Sequence, residues 1–557
     1  MATSDRRPYL TAPALTQALL DQCQDNLEGK LEMVADIETP LGVLHVSDRN
    51  KYVGGTFYKA ATKFPAVKRT LGDWLSPELE FSTLTIQVSN VDGSLNRYLP
   101  AGADFGGWIG RAVEVRLGLR DVAASYTTIF KGFVTEVGGF SRDIGSITLI
   151  ARDRFDKLNS DFPTSVFTSD AYPDIDPNLI GVVVPVVYGD WTVAVNSDMA
   201  SVPAYPVNSK NPGVIAGSNN LLLHISENAL LDFDPANVWL RRGSDFTQVP
   251  NASVVNVAVD KRTFEIAQGG GYTWSDGDTF FVRVKGKDLG AYSGNPVSIA
   301  KDMLATYGGL LAGDFNPNWD TLRDKATPAP DAIASMKARV WLQEPQKLMA
   351  YVASLLEQVR LEPFLSRDLT LKLNSMHFSD FVASPSHMVR NWDVQRGSFK
   401  PVLDDRNQWN RARGEYCFDP LSNGNLNQTP VFRNQAAITQ AGKAISKKVV
   451  FPNLYESATV EQQLAEMLKL ASSYAEFCEM NLTNRAMLRD VGDFVKLNVQ
   501  IGSTQFVDVP AMVRELSYDP KGMLPVRVWS MQMVPFSGWA PGYAGIVGGS
   551  TAVITQE

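Results

Sequence analysis

The chain has little of what enzymes and metal proteins use. Its 557 residues include three cysteines and four histidines. Cys23, Cys417 and Cys478 are far apart and form no C-x-x-C pair, so neither a disulfide framework nor a zinc module is expected, and four thiolates for an iron–sulfur cluster are not there. Assembly in a reducing cytoplasm follows as the simpler expectation. His45, His224, His377 and His387 make no H-E-x-x-H and no pair at helical ligand spacing, so each reads as structural or exposed. There is no G-x-S-x-G and no G-x-x-x-x-G-K-[ST]. The Gly269-Gly270-Gly271 run leads into Tyr272-Thr273-Trp274 and not into a helix that would aim its dipole at phosphate, so it reads as a loop. Long apolar runs are missing too. The densest, Ile180 to Tyr188, is too short for a bilayer and holds Pro185, and the start, MATSDRRPYLTAPALTQALL, lacks the apolar core of a signal peptide. Stable membrane insertion and export are therefore not expected. With 52 basic against 60 acidic residues the net charge is -8, which argues against sequence-specific or broad nucleic-acid binding and leaves only a local basic patch open.

What is present describes an ordinary globular chain: 44% hydrophobic and 20% charged residues, long enough for three or four cores. Strand periodicity is clearest from Phe130 to Leu158, FKGFVTEVGGFSRDIGSITLIARDRFDKL. Phe130 to Val137 alternates apolar and polar, Gly132 interrupts the row, and Ile147, Leu149 and Ala151 resume the alternation after Ser141-Arg142-Asp143. This is a β-hairpin of a barrel or sandwich. Leu84, Ile86 and Val88 alternate in the same way, as do Val113, Val115, Leu117 and Leu119, and Asn90-Val91-Asp92-Gly93 supplies a turn.

Six regions follow along the chain. Residues 1–37 read as an N-terminal helical arm, with a helix from Thr11 to Met33 and Pro13 in its first turn. Residues 38–159 read as a β-barrel. Residues 160–290 read as an inserted, loop-rich β-domain, with loops over Asp161–Pro177 and Val202–Asn220 and strands at Val182–Tyr188, Asn237–Arg241, Phe264–Ala267 and Phe280–Val284. Residues 291–390 combine a helix capped by Asn295 with Pro296 at its first position, a second helix from Glu344 to Val359, and a hairpin from Phe364 to Leu373. Residues 391–535 read as a second β-barrel domain with a long helix from Thr459 to Met480, a capping box at Thr459–Gln462, and Cys478 as a core residue on its apolar stripe. Residues 536–557 form a Gly-rich arm. From Val528 to Gln556 there is no charge, yet Trp529, Phe536, Trp539, Tyr543, Ile546 and Val547 occur, which calls for a partner surface in the same chain or a neighbouring one.

Carboxylates are the remaining chemistry. Asp170, Asp174 and Asp176 in SDAYPDIDPN are candidates for a Ca²⁺ loop or an acid pair, but the EF-hand spacing is absent and two prolines favour a solvated turn. No catalytic, cofactor-binding or metal-binding residue is assigned, and no cofactor is expected.

The Phe130–Leu158 segment resembles the F-x-G-x-V…V-x-L…D…L signature of tail-tip and baseplate-hub proteins of long-tailed, siphophage-like bacteriophages. Leu79 to Leu99 is similar to the strand and turn preceding that signature, Ile180 to Trp191 (IGVVVPVVYGDW) to the ig-x-x-iPivyG phrase of siphophage tail proteins, and Asp490 to Trp529 to the GD-x-V-x-L…V-x-E-x-x-x-D barrel late in hub chains. These stretches cover about a third of the chain. The resemblance implies an α+β, mainly β fold with tandem β-barrel or sandwich hub domains. It also implies a homotrimeric ring in which two barrels per chain give pseudo-sixfold symmetry to match a hexameric tube. The partners it implies are a distal tail or tail tube protein, a tape measure protein, and tail fibre or receptor-binding proteins. The implied role is non-enzymatic, joining tube to tip and gating genome passage in the virion. The alternative is a receptor- or glycan-binding tail component whose specificity lies in 160–290, with Trp191, Trp239 and Trp274 stacking on sugars.

Overall fold

The computed structural model describes residues 31–532 except 72–81, 99–101, 103, 105, 121–122, 142–144, 194–200, 269–273, 276, 327–331, 378–386, 405–407, 473, 483–489, 502–503 and 519–523. The fold is mainly β with packed helices. The first module is built from β1 (Leu31–Thr39), β2 (Gly42–Ser47), β3 (Lys51–Val53), β4 (Thr56–Lys63), β5 (Val67–Thr70), β6 (Thr83–Ser89), β7 (Ala112–Leu119), β8 (Thr127–Ser141) and β9 (Ser146–Asp153). Its strands run in the order β2-β1-β7-β8-β9-β6-β4, and β2 then pairs in parallel with β4, Val46 opposite Lys59, so the sheet closes into a barrel. The alternating residues explain why. Leu84, Ile86 and Val88 of β6, Val113, Val115, Leu117 and Leu119 of β7, and Ile147, Leu149 and Ala151 of β9 are all buried in one core. Gly93 closes the turn after β6 with φ +69° and donates to the Asn90 carbonyl.

Gly132 lies opposite Asp153, the last pair of the β8–β9 ladder away from the turn. A Cβ at this position would lie 2.0 Å from the Arg152 carbonyl oxygen and 2.7 Å from the Phe130 ring, so backbone would have to move. Gly132→Ala is expected to destabilise the barrel by about 1–3 kcal/mol, the usual range for overpacking. Thermal unfolding of the full chain checks this, and an unchanged midpoint would mean that β8 and β9 are not this close.

Residues 202–285 form a seven-stranded sheet in the order Asp245–Gln248, Asp232–Arg242, Thr279–Lys285, Val202–Pro206, Leu221–His224, Thr263–Ile266, Val254–Val255. Beside it, the helices Pro296–Thr306, Leu348–Glu357 and Ser457–Ala471 and the hairpin Leu361–Leu365/Leu371–Ser375 share a second core. Asn295 caps the first of these helices, accepting from the amides of Val297 (3.0 Å) and Ser298 (3.2 Å), with Pro296 at its first position. A further sheet runs in the order His387–Arg390, Phe494–Ile501, Thr504–Tyr518, Leu524–Gln532, Tyr474–Leu482, Lys400–Asp404. Among the described residues nothing pairs its two outer strands to each other, so this sheet is an open barrel where the first is closed.

Several local expectations change. Leu31 to Met33 begin β1 and are not the end of a helix; the remainder of the expected arm lies outside the described residues. The expected loop Val202–Asn220 contains the strand Val202–Pro206 and a helical turn, Pro212–Ile215. The strand expected from Val182 begins at Val186, and the helix expected from Glu344 begins at Leu348. The long helix ends at Ala471, and Cys478 lies on the strand Tyr474–Leu482, where Cys478, Met480 and Leu482 are buried at period two. Cys478 is still a core residue. The capping box does not form: Glu456 is the N-cap without a side-chain bond, and Ser457 instead donates to Glu461 at 2.8 Å. The arm from 533 onward and Gly269–Gly271 lie outside the described residues, although Val528–Gln532 belongs to a barrel strand. No described helix is long and apolar enough to cross a membrane, which says nothing of strands.

Candidate functional site: the junction of the two barrels

β5 leaves the first barrel in the connection between β4 and β6 and pairs antiparallel with the second sheet, Val67 opposite Tyr518 and Thr70 opposite Glu515. Its burial alternates, Val67 and Arg69 inward. Residues of both barrels consequently share one hydrophobic core, with Val67 and Leu71 beside Leu497, Leu516 and Tyr518. The Leu71 amide adds a bond to the Arg514 carbonyl at 2.8 Å.

Charged groups are buried in this seam. Arg69 reaches Asp490 (3.4 Å), donates to the Ile129 carbonyl of the first barrel (2.8 Å), and lies over the Tyr518 ring at 5.8 Å. Asp490 in turn accepts from the amides of Arg367 (2.5 Å) and Val491 (3.0 Å), which ties in the helix-and-hairpin region. Arg514, on the strand Thr504–Tyr518, grips Glu362 of the hairpin with two bonds of 2.9 and 3.2 Å. All four side chains are nearly inaccessible to solvent. Such groups are tolerated only when paired and bonded, which fixes how the three modules sit. Nearby, Asp153 ends β9. Burial pushes its carboxyl up to about 6, against the pull of the Phe155 amide and the Arg69 and Arg154 cations. Burial likewise raises the Tyr518 phenol.

A second seam joins the core of the seven-stranded sheet to the helical core. Arg339 is 1% exposed, stacks 4.3 Å from Trp191, and donates to the Cys417 sulfur at 2.8 Å. Burial lowers the guanidinium pKa and raises that of the thiol.

The other sequence candidates are dispersed. Asp174 accepts from Asn211 at 2.6 Å, and Asp170 is exposed. Asp176 caps the short turn Pro177–Leu179 and pairs with Lys210 at 2.8 Å, a contact that holds its pKa down. Among the described residues no three His, Cys, Asp or Glu side chains converge as metal ligands. His45 pairs with Asp36 at 2.7 Å. His224 accepts from the Tyr172 hydroxyl (2.6 Å) and donates to the Ser226 carbonyl (2.9 Å), and burial pushes its pKa down to about 4, which keeps the ring neutral. His377 is buried, and His387 lies on a strand. Of the three tryptophans considered for sugar stacking, Trp191 is closed off beneath Arg339, and Trp239 and Trp274 are half-buried.

Sequence reasoning missed the junction. Asp490 and Arg514 fall inside the quoted Asp490–Trp529 stretch, yet a lone charge in a strand carries no partner information. The available signal was Glu362 and Arg514 standing among apolar strand residues, where a charge needs a buried partner; Arg69, between Lys68 and Thr70, carried none.

These features define a mainly β chain in which a closed barrel and an open one share a core and a buried ion pair. No protein-family model and no curated protein sequence matches the chain. The solved structures it resembles include phage tail proteins. One is the 43 kDa tail protein of prophage MuSo2 from Shewanella oneidensis (10% identity, TM-score 0.40, 90% of this chain and 98% of that one). Another is a tail protein from Neisseria meningitidis (9%, TM-score 0.40, 90% and 96%). A third is a prophage tail protein from Listeria monocytogenes (8%, TM-score 0.37, 90% and 94%). Likeness at this depth fixes neither a common fold nor a common role.

Proposed function

We propose that the chain is a structural, non-enzymatic component of a phage tail, a tip or baseplate hub that joins the tail tube to the distal tip and fibres. The observation that carries this reading is the β5 strand of the first barrel pairing with Thr504–Tyr518 of the second, past the end of Phe494–Ile501, so that the two barrels share a ladder and a core. Three such pairs around an axis would present six barrel-like modules, which suits a hexameric tube, and closed rings need the heterologous contacts that strand edges and loops supply. In this role the chain would self-associate as a homotrimer. It would meet a distal tail or tail tube protein, a tape measure protein and fibre or receptor-binding proteins in the virion, and gate genome passage by a shift between closed and open rings. The glycan-binding alternative loses one of its three rings, since Trp191 is core.

Native mass measurement and negative-stain imaging of the full chain at high concentration test this. Trimers and annular particles are expected. A monomer at every concentration, alone and mixed with tail tube protein, would overturn the ring, and hydrolysis of peptidoglycan or capsule would overturn the non-enzymatic role.

A further inference from the structure

The strands Arg411–Asp419, Gly424–Gln428, Phe432–Arg433 and Ser446–Phe451 form a separate four-stranded sheet. Gly424–Gln428 and Phe432–Arg433 lie along one side of Arg411–Asp419, and Ser446–Phe451 runs parallel along the other. Among the described residues no strand pairs with the outer side of Ser446–Phe451, so alternate amides and carbonyls there point away from the sheet. That is an open template for one more strand.

The register sets the chemistry of the solvent face. Ala412, Gly414 and Tyr416 are buried, so Arg411, Arg413 and Glu415 project to the other side. Arg411 stands opposite Ser446 on one flank and Arg433 on the other, Arg413 opposite Lys448, and Glu415 opposite Val450 and Gln428. Arg413 and Lys448 are exposed on this face and Lys448 turns to Glu415 at 2.9 Å, whereas the exposed Lys447, opposite Ala412, belongs to the other face. From Trp409 to Phe451 there are six basic residues against two acidic ones, whereas the whole chain has 52 against 60. Like charges directly across a sheet repel, and an anion laid against them removes the repulsion. No aromatic ring shares this face, so it offers no platform for unpaired bases. Lysines on an edge also keep copies of the same edge apart while leaving it open to a strand of opposite charge.

We propose that the outer edge of Ser446–Phe451 takes up an extended acidic segment of another protein chain as an added strand. The backbone of this edge supplies the ladder, and Lys448, with Arg413 behind it on the same face, pairs with the incoming carboxylates. The site does not depend on the tail role.

The test uses the full chain and two fluorescent peptides, Glu-Val-Glu-Val-Glu-Val and its Lys-Val counterpart, with anisotropy for affinity and hydrogen exchange for location. The acidic peptide is expected to bind, more weakly as salt rises, and to slow exchange across residues 446–450, while the basic peptide does not bind. Arg413→Glu combined with Lys448→Glu is expected to lower that affinity at least tenfold. Unchanged affinity in this variant, or binding without protection of the edge amides, would overturn the proposal. So would a duplex DNA oligomer that occupies these residues when the acidic peptide does not.

Discussion

Replacing Arg514 with methionine is expected to destabilise the chain by about 3–5 kcal/mol, because removing one member of a buried pair leaves the other charge unpaired in a dry environment. Glu362 is 3% exposed and Arg514 5%, and their two bonds of 2.9 and 3.2 Å satisfy both carboxylate oxygens. Without the guanidinium, the Glu362 carboxylate would face the neighbouring Glu357, which it already repels; burial and this repulsion push Glu357 up to about 7. The loss is specific to burial. Lys347 and Asp161, an ion pair at 2.9 Å with both side chains more than half exposed, should cost less than about 1 kcal/mol when either is replaced. The double variant Arg514→Met with Glu362→Met is expected to recover much of the stability, since no lone charge remains. Hydrogen exchange across residues 511–516 reads the junction directly. If Arg514→Met exchanged there as slowly as the wild type, the pair would not be holding the hairpin to the second sheet.

That pair also marks where the sequence stops being informative. Strands of the first barrel were legible because each buries one face, so Leu84, Ile86 and Val88 carry the period by themselves. The cap at Asn295 was legible because capping is a local event. The end of the long helix was not: Ala475 and Cys478 continue the helix-like spacing of Leu464, Met467, Leu468 and Ala471, and only pairing with Lys400–Asp404 and Leu524–Gln532 makes that stretch a strand. Ring closure between β2 and β4 rests on two parallel residue pairs that no local pattern encodes. The junction is the extreme case, since Arg69 and Asp490 are 421 positions apart and acquire meaning only when β5 reaches the second sheet. Carboxylates that looked clustered in sequence, Asp170, Asp174 and Asp176, separate because two of them are engaged by Asn211 and Lys210 from another loop.

Asp153→Asn is expected to stabilise the protein at neutral pH and to change little in acid. The wild-type carboxyl has a pKa near 6 in the folded chain against an ordinary value of 3.8, and burial is the main cause. Below the ordinary value both states hold the proton and there is no penalty. Between the two values the unfolded chain ionises while the folded one keeps its proton, so stability falls as pH rises; above about 6 the whole penalty, about 3 kcal/mol, is present. The groups facing Asp153 are the Phe155 amide, Arg69, Arg154 and Asp156, and the first three already offset part of the burial cost. Asparagine keeps an oxygen to accept the Phe155 amide, a 2.9 Å bond, and carries no charge to desolvate. Unfolding midpoints of the two proteins at pH 4 and pH 7.5 separate the outcomes. The gain should grow with pH. An equal difference at both values would mean that Asp153 is not titrating between them, and a less stable Asn variant at pH 7.5 would mean that the Arg69 and Arg154 cations outweigh burial at the seam.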